Sequence, residues 1–168
     1  MRLSAIIFAL AVSLLAPAYL AAEVVDSASN GFTVRTTLSI QASPADVYQR
    51  LVRNVGDWWN SAHTFSGDAH NMSIDDKPGG CFCEKLPGGG GVQHFEVSVA
   101  SPGKTLLFRG AMGPMLSKAL MGGLEITLVP AEGGTKLTVS LNAGGYLPGG
   151  VNAMAGVADV VVAEQFTR

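Results

Sequence analysis

Apolar and polar residues recur at two spacings along the chain, and these spacings predict its strands and helices. Residues 32–41 are rich in β-branched side chains and partly alternate, which predicts a first strand. Short apolar runs between glycine and proline turns predict the other strands, which cover residues 71–74, 80–86, 92–100, 105–109, 124–129 and 136–143. We therefore expect about seven strands.

Helical spacing appears in three places. Ser43 and Pro44 are typical of a helix start, and apolar residues recur at helical spacing after them. Trp58 and Trp59 follow in a second short helical segment. Residues 150–168 contain almost no strand-breaking residues, and their apolar side chains share one helical face, which predicts a C-terminal helix.

The order of these elements predicts an α+β fold. An antiparallel meander buries one face and must cover it with another element, and the C-terminal helix is the only predicted element large enough to do so. We therefore expect a helix-grip arrangement, in which a curved antiparallel sheet wraps around a long C-terminal helix. Two short helices are expected after the first strand.

The first 22 residues differ from the rest of the chain. Arg2 precedes an apolar run over residues 5–15, and Pro17 and small residues follow, which is the layout of a secretory signal peptide. We expect its removal to leave one domain, residues 23–168, that is exported to the periplasm or secreted and has no stable membrane span. The alternative is an uncleaved membrane anchor, because the apolar stretch approaches the length that spans a bilayer.

Composition excludes several classes of protein. The chain has 168 residues, of which 48% are hydrophobic and 21 are glycine, and its net charge is −2. This balance argues against a basic nucleic-acid binder and a disordered chain. The run 88–91 lacks the dinucleotide-binding pattern, and Gly103 lacks the glycine that a phosphate-binding loop requires at position 98, which is Ser98. We expect no cofactor and no nucleic-acid partner.

Four segments carry a resemblance to a known superfamily. They are Gln41-Ala-Ser-Pro-Ala-Asp-Val-Tyr48, Asp57-Trp58-Trp59, Pro78-Gly79-Gly80-Cys81-Phe82 and the terminal helix. Together they resemble the SRPBCC superfamily, of the START-like or polyketide cyclase/dehydrase type, over residues 30–168. The resemblance implies a hydrophobic cavity between the sheet and the last helix.

This cavity leads to two hypotheses about function, whereas a third, a structural or partner-binding domain, would have a filled core instead. The first is an exported binding domain whose partner is a small hydrophobic, lipid-like or polyketide-like ligand. The alternative is a cyclase/dehydrase-type enzyme that uses the same cavity, with His70 or an inward-facing acid as general acid or base. The sequence assigns no catalytic residue beyond that hypothesis.

All three histidines and both cysteines lie between His63 and His94. If Leu86 lies opposite Val92 across the glycine-rich turn, Glu84 pairs with His94 on the solvent face of the sheet. We therefore expect Glu84 and His94 to form a surface pair.

The same register turns Cys81 and Cys83 toward the interior as free thiols. A disulfide is expected of an exported protein, but two residues apart on an extended strand the Cα atoms lie at the far edge of the allowed separation. A single Cys-x-Cys also differs from the paired patterns of zinc sites, so we predict no metal.

The methionine-rich segment 110–123 has two interpretations. It forms either a short core helix between two strands or a mobile lid over the cavity, since methionines line irregular apolar surfaces. The residues expected at the cavity or its mouth are Trp58, Trp59, His70, Met72, Cys81, Cys83, Phe95, Arg109, Met112, Met115, Tyr146 and Met154.

Overall fold

The structure is a computed structural model that describes residues 23–168, so the expected signal peptide lies outside the described residues. Its strands are β1 (Glu23–Ala28), β2 (Gly31–Ile40), β3 (Met72–Ile74), β4 (Cys81–Lys85), β5 (Gly91–Ser101), β6 (Thr105–Gly110), β7 (Ala119–Ala131) and β8 (Gly134–Tyr146). Its α-helices are α1 (Pro44–Arg53), α2 (Val55–Trp58) and α3 (Ala155–Phe166). Short 3₁₀ helices cover Ser61–His63, Ala69–Asn71, Gly113–Ser117 and Val151–Met154.

The strands form one antiparallel sheet in the order β1-β2-β8-β7-β6-β5-β4-β3. The predicted helix-grip α+β fold is confirmed. The described sheet has eight strands rather than about seven, because β1 adds an edge strand in front of β2. All six β1 residues are exposed, which explains why this strand lacks an alternating apolar pattern. The two short helices consequently follow the second strand.

Helix α1 begins where the sequence predicts. Ser43 caps it, since its Oγ accepts a hydrogen bond from the backbone N of Asp46 at 3.2 Å. Its buried face, which includes Tyr48 and Leu51, closes one end of the sheet. The indole of Trp58 on α2 donates to the carbonyl oxygen of Leu51 at 3.2 Å and fixes the angle between the two helices.

Helix α3 lies on the concave side of the sheet and contacts β2 and β1. Its side chains are apolar on nearly every face, so its sequence does not distinguish the buried side from the exposed one. Val162 is buried against the sheet, whereas Val157 and Val160 are 68% and 65% exposed. Among the described residues, no helix is long and apolar enough to cross a membrane.

A β-bulge in the β4–β5 hairpin overturns the predicted register. Phe82 lies opposite Phe95 and Cys83 opposite Gln93, so His94 is the extra residue on β5. The bulge reverses the expected facing of β4, and Phe82 and Glu84 point inward. The prediction that Glu84 and His94 form a surface pair is wrong, because both side chains are fully buried.

The prediction of free inward thiols is also wrong. Cys81 and Cys83 form a disulfide, and both residues are half-buried on the opposite face of β4 from Glu84. Their Cα atoms lie 5.3 Å apart, well inside the range for a disulfide.

The methionine-rich segment combines a short helix and a strand. Residues Gly113–Ser117 form a 3₁₀ helix, and β7 begins at Ala119, five residues before the predicted strand. The two parts differ in burial, because Met115 in the 3₁₀ helix is buried and Met121 in β7 is exposed. The interpretation as a short helix between two strands therefore holds for its first part.

Candidate functional site

A cavity of about 560 Å³ lies between the concave face of the sheet and α3. Its walls come from the sheet, from α3, from the loop after α2 and from the Gly113–Ser117 helix. The apolar lining residues are Phe32, Trp59, Ala62, Phe65, Phe95, Met112, Pro114, Met115, Leu116, Leu124, Leu141, Met154, Val157, Ala158, Val161, Val162 and Phe166. This volume and lining are typical of a site for a small, largely apolar molecule.

Most polar groups of this cavity come from the loop after α2 and the end of α3, and Ser117 comes from the Gly113–Ser117 helix. His63 and Gln165 both line it. His63 Nε2 lies 2.9 Å from Glu164 Oε2, and Gln165 Oε1 accepts a hydrogen bond from the backbone N of Asn60 at 2.7 Å. The side chain of Asn60 also donates to Glu164. These contacts tie the loop to α3 and place an imidazole with a carboxylate partner in the wall of the cavity.

We call Asn60, His63, Glu164 and Gln165 the His63 rim, and the hydrogen bonds within it keep Glu164 ionised. Hydrogen bonds from His63 and then Asn60 hold the pKa of the Glu164 carboxyl below its ordinary value. The indole of Trp59 donates to the carbonyl oxygen of His63 at 3.2 Å, which fixes the backbone that carries the imidazole. The rim therefore places one fixed anionic group beside the imidazole of His63.

A second polar pair lies outside the cavity lining, next to Phe65, and is entirely buried. The side chains of His94 and Glu84 are 1% and 0% exposed, and His94 Nε2 lies 3.0 Å from Glu84 Oε2. Burial favours the neutral imidazole and lowers the pKa of His94, although the hydrogen bond and the charge of Glu84 act in the opposite direction.

Glu84 remains ionised despite its burial. Burial alone raises the pKa of its carboxyl, but hydrogen bonds from Ser66, Phe65 and His94 together bring the pKa below its ordinary value. The backbone N of Ser66 donates to Glu84 Oε1, so this carboxylate also anchors the loop that carries Phe65. The pair is a carboxylate and a neutral imidazole.

The structure brings five of the twelve sequence-predicted site residues together in the cavity lining. They are Trp59, Phe95, Met112, Met115 and Met154. Trp58 instead lines a second cavity of about 630 Å³ between α1, β2 and the end of α3. Phe166 lines both cavities. Its ring stacks on that of Trp58, with the ring centroids 5.1 Å apart, so this pair lies where the two cavities meet.

Three of the predicted site residues lie on the surface away from this lining. The side chain of His70 is 73% exposed, and its Nδ1 lies 2.9 Å from Asp68 Oδ1. Tyr146 is 72% exposed at the end of β8. Arg109 is exposed because it alternates with the buried Phe108 along β6 and therefore faces away from α3.

The remaining three predicted residues belong to the sheet. Met72 is buried in the core on β3, outside the cavity lining. Cys81 and Cys83 lie on the outer face of β4, as the bulge requires, and their disulfide is separated from the cavity by the sheet.

The residues that sequence reasoning missed include three of the lining, His63, Phe65 and Gln165, and also Glu164, the partner of His63. His63 and Phe65 lie within the stretch that contains all the histidines and cysteines, so the clustering pointed to the correct region. Glu164 and Gln165 lie on α3, which is apolar on nearly every face and gives no periodic signal for the side that meets the loop. Among residues 23–168, no three His, Cys, Asp or Glu side chains are grouped as a metal ion requires.

No family model matches the chain, and no curated protein matches it in sequence. Solved structures do match it. Protein MLL2253 from Mesorhizobium loti gives a TM-score of 0.54 at 23% identity, over 80% of this chain and 91% of that chain. The Aha1 dimer from Colwellia psychrerythraea gives 0.54 at 18% identity, over 80% and 90%.

DynU16, from the dynemicin biosynthetic locus, gives a TM-score of 0.53 at 16% identity, over 80% of this chain and 44% of that chain. At such identities the likeness concerns the fold and not the chemistry of the site. The fold of this chain is a helix-grip α+β fold, and these solved structures match it over 80% of its length.

Proposed function

We propose that this chain is an exported binding protein for a small, largely apolar molecule of lipid-like or polyketide-like character. The observation that carries the proposal is the cavity of about 560 Å³ between the sheet and α3. Its walls are largely apolar, and its polar lining side chains are few: His63, Thr64, Ser117 and Gln165. Few polar anchors in an apolar cavity suit a ligand with one or two polar groups.

The affinity of such a cavity is set by apolar burial. Each methylene group that leaves water contributes about 0.8 kcal/mol, before the loss of translational and rotational freedom is subtracted. The methionines Met112, Met115 and Met154 line the cavity from two elements and adapt to ligands of different shape. We therefore expect the cavity to select ligands by their size and their polar end group rather than by one exact shape.

The direct test is native mass spectrometry of freshly purified full-length protein, with solvent extraction of the same sample. We expect a bound species of one molecule per chain, recovered in the organic phase. Binding of the neutral fluorophore 1-aminoanthracene provides the quantitative assay.

A matched pair of variants ties this binding to the cavity. Leu124→Trp fills the lining from β7 and is expected to weaken fluorophore binding by roughly tenfold or more. Val129→Trp makes the comparable change at an exposed position of the same strand and is expected to leave the affinity unchanged. Equal weakening by both variants, or repeated absence of any bound species, would contradict a binding role for the cavity.

The second candidate is a cyclase/dehydrase-type enzyme, and the His63–Glu164 pair favours it. A carboxylate that orients an imidazole in the wall of a cavity is a general acid–base arrangement. In this alternative His63 takes the role that the sequence suggested for His70, which lies away from the lining.

Conversion of the bound molecule distinguishes the two candidates. The extracted ligand is incubated with wild-type protein and with His63→Gln, and the products are followed by mass spectrometry. A dehydrase releases one water from its substrate, so the wild type alone should yield a product lighter by one water. An unchanged ligand in both samples supports the binding protein.

A further inference from the structure

The buried pair of Glu84 and His94 lies one side chain away from the cavity. Phe65 lines the cavity, and its ring centroid lies 5.9 Å from that of His94. Phe95, the next residue along β5, also lines the cavity. The backbone N of Ala111, just before the lining residue Met112, donates to the carbonyl oxygen of His94 at 2.9 Å. His94 therefore lies directly behind the cavity wall.

The Glu84 carboxylate fixes which nitrogen of His94 carries the proton. A carboxylate only accepts hydrogen bonds, so at 3.0 Å from Glu84 Oε2 the Nε2 of His94 is the donor. A neutral imidazole then carries a free lone pair on Nδ1. This atom is buried, and it has no hydrogen-bond partner within residues 23–168.

A buried acceptor without a donor is unfavourable, and an apolar side chain at position 94 would avoid that cost. Glu84 does not need His94 as its sole partner, because the backbone of Ser66 also donates to it. Compensation of the buried carboxylate therefore accounts for Nε2 of His94, but it leaves Nδ1 without a partner.

We propose that Nδ1 of His94 is the acceptor for a hydroxyl or phenol group of the ligand, an inference that rests on the proposed function. The ligand class is then an apolar molecule with an O–H donor at one end, and this O–H points toward β5. Glu84 is a positioning residue, because it sets the tautomer of His94. Phe65 covers the imidazole, but it is 56% exposed, and such side chains change rotamer within nanoseconds.

The test compares two probes that differ only in the donor, 4-butylphenol and its methyl ether, 4-butylanisole. Their affinities are measured by displacement of 1-aminoanthracene from full-length protein. For the wild type we expect the phenol to bind roughly 3- to 10-fold more tightly than the ether, the value for one net hydrogen bond. His94→Gln retains an amide donor toward Glu84, and with its amide nitrogen held there its oxygen does not take the position of Nδ1, so the variant should lose most of the preference for the phenol.

The matched control is His70→Gln, which makes the same change at an exposed histidine outside the cavity lining and should keep the preference. Equal binding of both probes to the wild type, or a preference that survives His94→Gln, overturns the assignment and leaves the proposed function standing. Failure of both probes to bind overturns the proposed function and this inference with it.

A measurement on the wild type keeps the test independent of the variant's folding. Nitrogen-15 NMR of the histidine rings should show His94 with a protonated Nε2 and an unprotonated Nδ1. The phenol should shift the Nδ1 resonance, and the ether should not. An Nδ1 resonance that does not respond to the phenol overturns the inference.

Discussion

Glu84 places a negative charge in the interior of the protein, where an unpaired charge is strongly unfavourable. Hydrogen bonds from the loop at Ser66 and from His94 compensate it. Leaving a buried polar group without its hydrogen-bond partner commonly costs about 1–3 kcal/mol, and more when that group is charged, as Glu84 is. A pair that is this unfavourable to bury is consistent with a role in ligand binding at the adjacent cavity.

The pair makes stability depend on pH, and the direction follows from the pKa shifts. Both His94 and Glu84 have lower pKa values in the folded chain than their ordinary values of 6.5 and 4.5. The unfolded chain therefore binds more protons at acidic pH, so stability is fully present above these ordinary values and is lost as the pH falls below them.

We expect the free energy of unfolding in urea to decrease between about pH 7.5 and pH 5.5 as His94 becomes protonated in the unfolded chain, and further below pH 4.5 as Glu84 does. His94→Gln removes one of the two groups, so it should show a smaller decrease over the first interval. His70→Gln serves as the control, since its side chain is mostly exposed. An identical pH dependence in the wild type and His94→Gln would contradict the role of His94.

Two glycines, Gly156 in α3 and Gly31 in β2, differ in how much space surrounds the position of a Cβ atom. Gly156 lies in α3, and a Cβ atom added there would meet no atom within 4 Å. Gly31 pairs with Gly144 between β2 and β8, and a Cβ there would lie 2.8 Å from the carbonyl oxygen of Ala143.

These two sites predict opposite changes in stability for the same substitution. Gly156→Ala should stabilise the protein by about 0.5–1 kcal/mol, because alanine restricts the unfolded chain and favours the helix. Gly31→Ala should destabilise it by roughly 1–3 kcal/mol, because the paired strands must move apart. Thermal unfolding of both variants measures the difference, and stabilisation by Gly31→Ala would show that β2 and β8 pair differently.

The disulfide in β4 closes a very short loop. The constraint it places on the unfolded chain is worth roughly 1.5 kcal/mol, since this contribution grows with loop length. It also lies across the sheet from the cavity.

The double variant Cys81→Ser/Cys83→Ser should therefore lose at most about 1.5 kcal/mol of stability and bind 1-aminoanthracene with unchanged affinity. Urea unfolding and fluorophore titration check the two parts separately. A large loss of affinity would mean that β4 communicates with the cavity through its disulfide face.

A helix or strand could be predicted from the sequence when its apolar spacing and end signals lie within the element itself. Strand β2 and helix α1 are recognisable because their apolar spacing and the Ser43 cap act within a few residues. Strand β1 lies at the sheet edge with every side chain exposed, so no burial pattern marks it. The bulge at His94 is set by pairing between strands, and a one-residue slip exchanged the two faces of β4 in the prediction.

The same distinction applies to the candidate site. The methionines and Trp59 could be predicted because the fold resemblance placed a cavity between the sheet and the last helix. The pairing of His63 with Glu164 could not, since about a hundred residues separate them in the chain. Only the folded arrangement of the loop on α3 brings them together.

The molecule as a whole combines a packed hydrophobic core with an apolar cavity of about 560 Å³ between the sheet and α3. Tightly packed interiors are the rule in proteins, and empty apolar volume forgoes contact energy that packing would supply. A ligand that fills the space restores this energy, and it stabilises the folded chain by about 2.7 kcal/mol at a concentration of one hundred times its Kd. Stability and binding should therefore change in opposite directions when a side chain fills the cavity.

Ala158 on α3 gives the sharpest test of this opposition, because it lines the cavity and the helix tolerates leucine nearly as well as alanine. Ala158→Leu should raise the free energy of unfolding by about 0.5–2 kcal/mol through new apolar burial. The same variant should lose most of the increase in melting temperature that 1-aminoanthracene gives the wild type. Val160→Leu, on the exposed side of α3, should change neither quantity. A stabilised Ala158→Leu protein that still gains the full ligand-dependent increase would place the ligand elsewhere, with the second cavity beside Trp58 as the next site to fill.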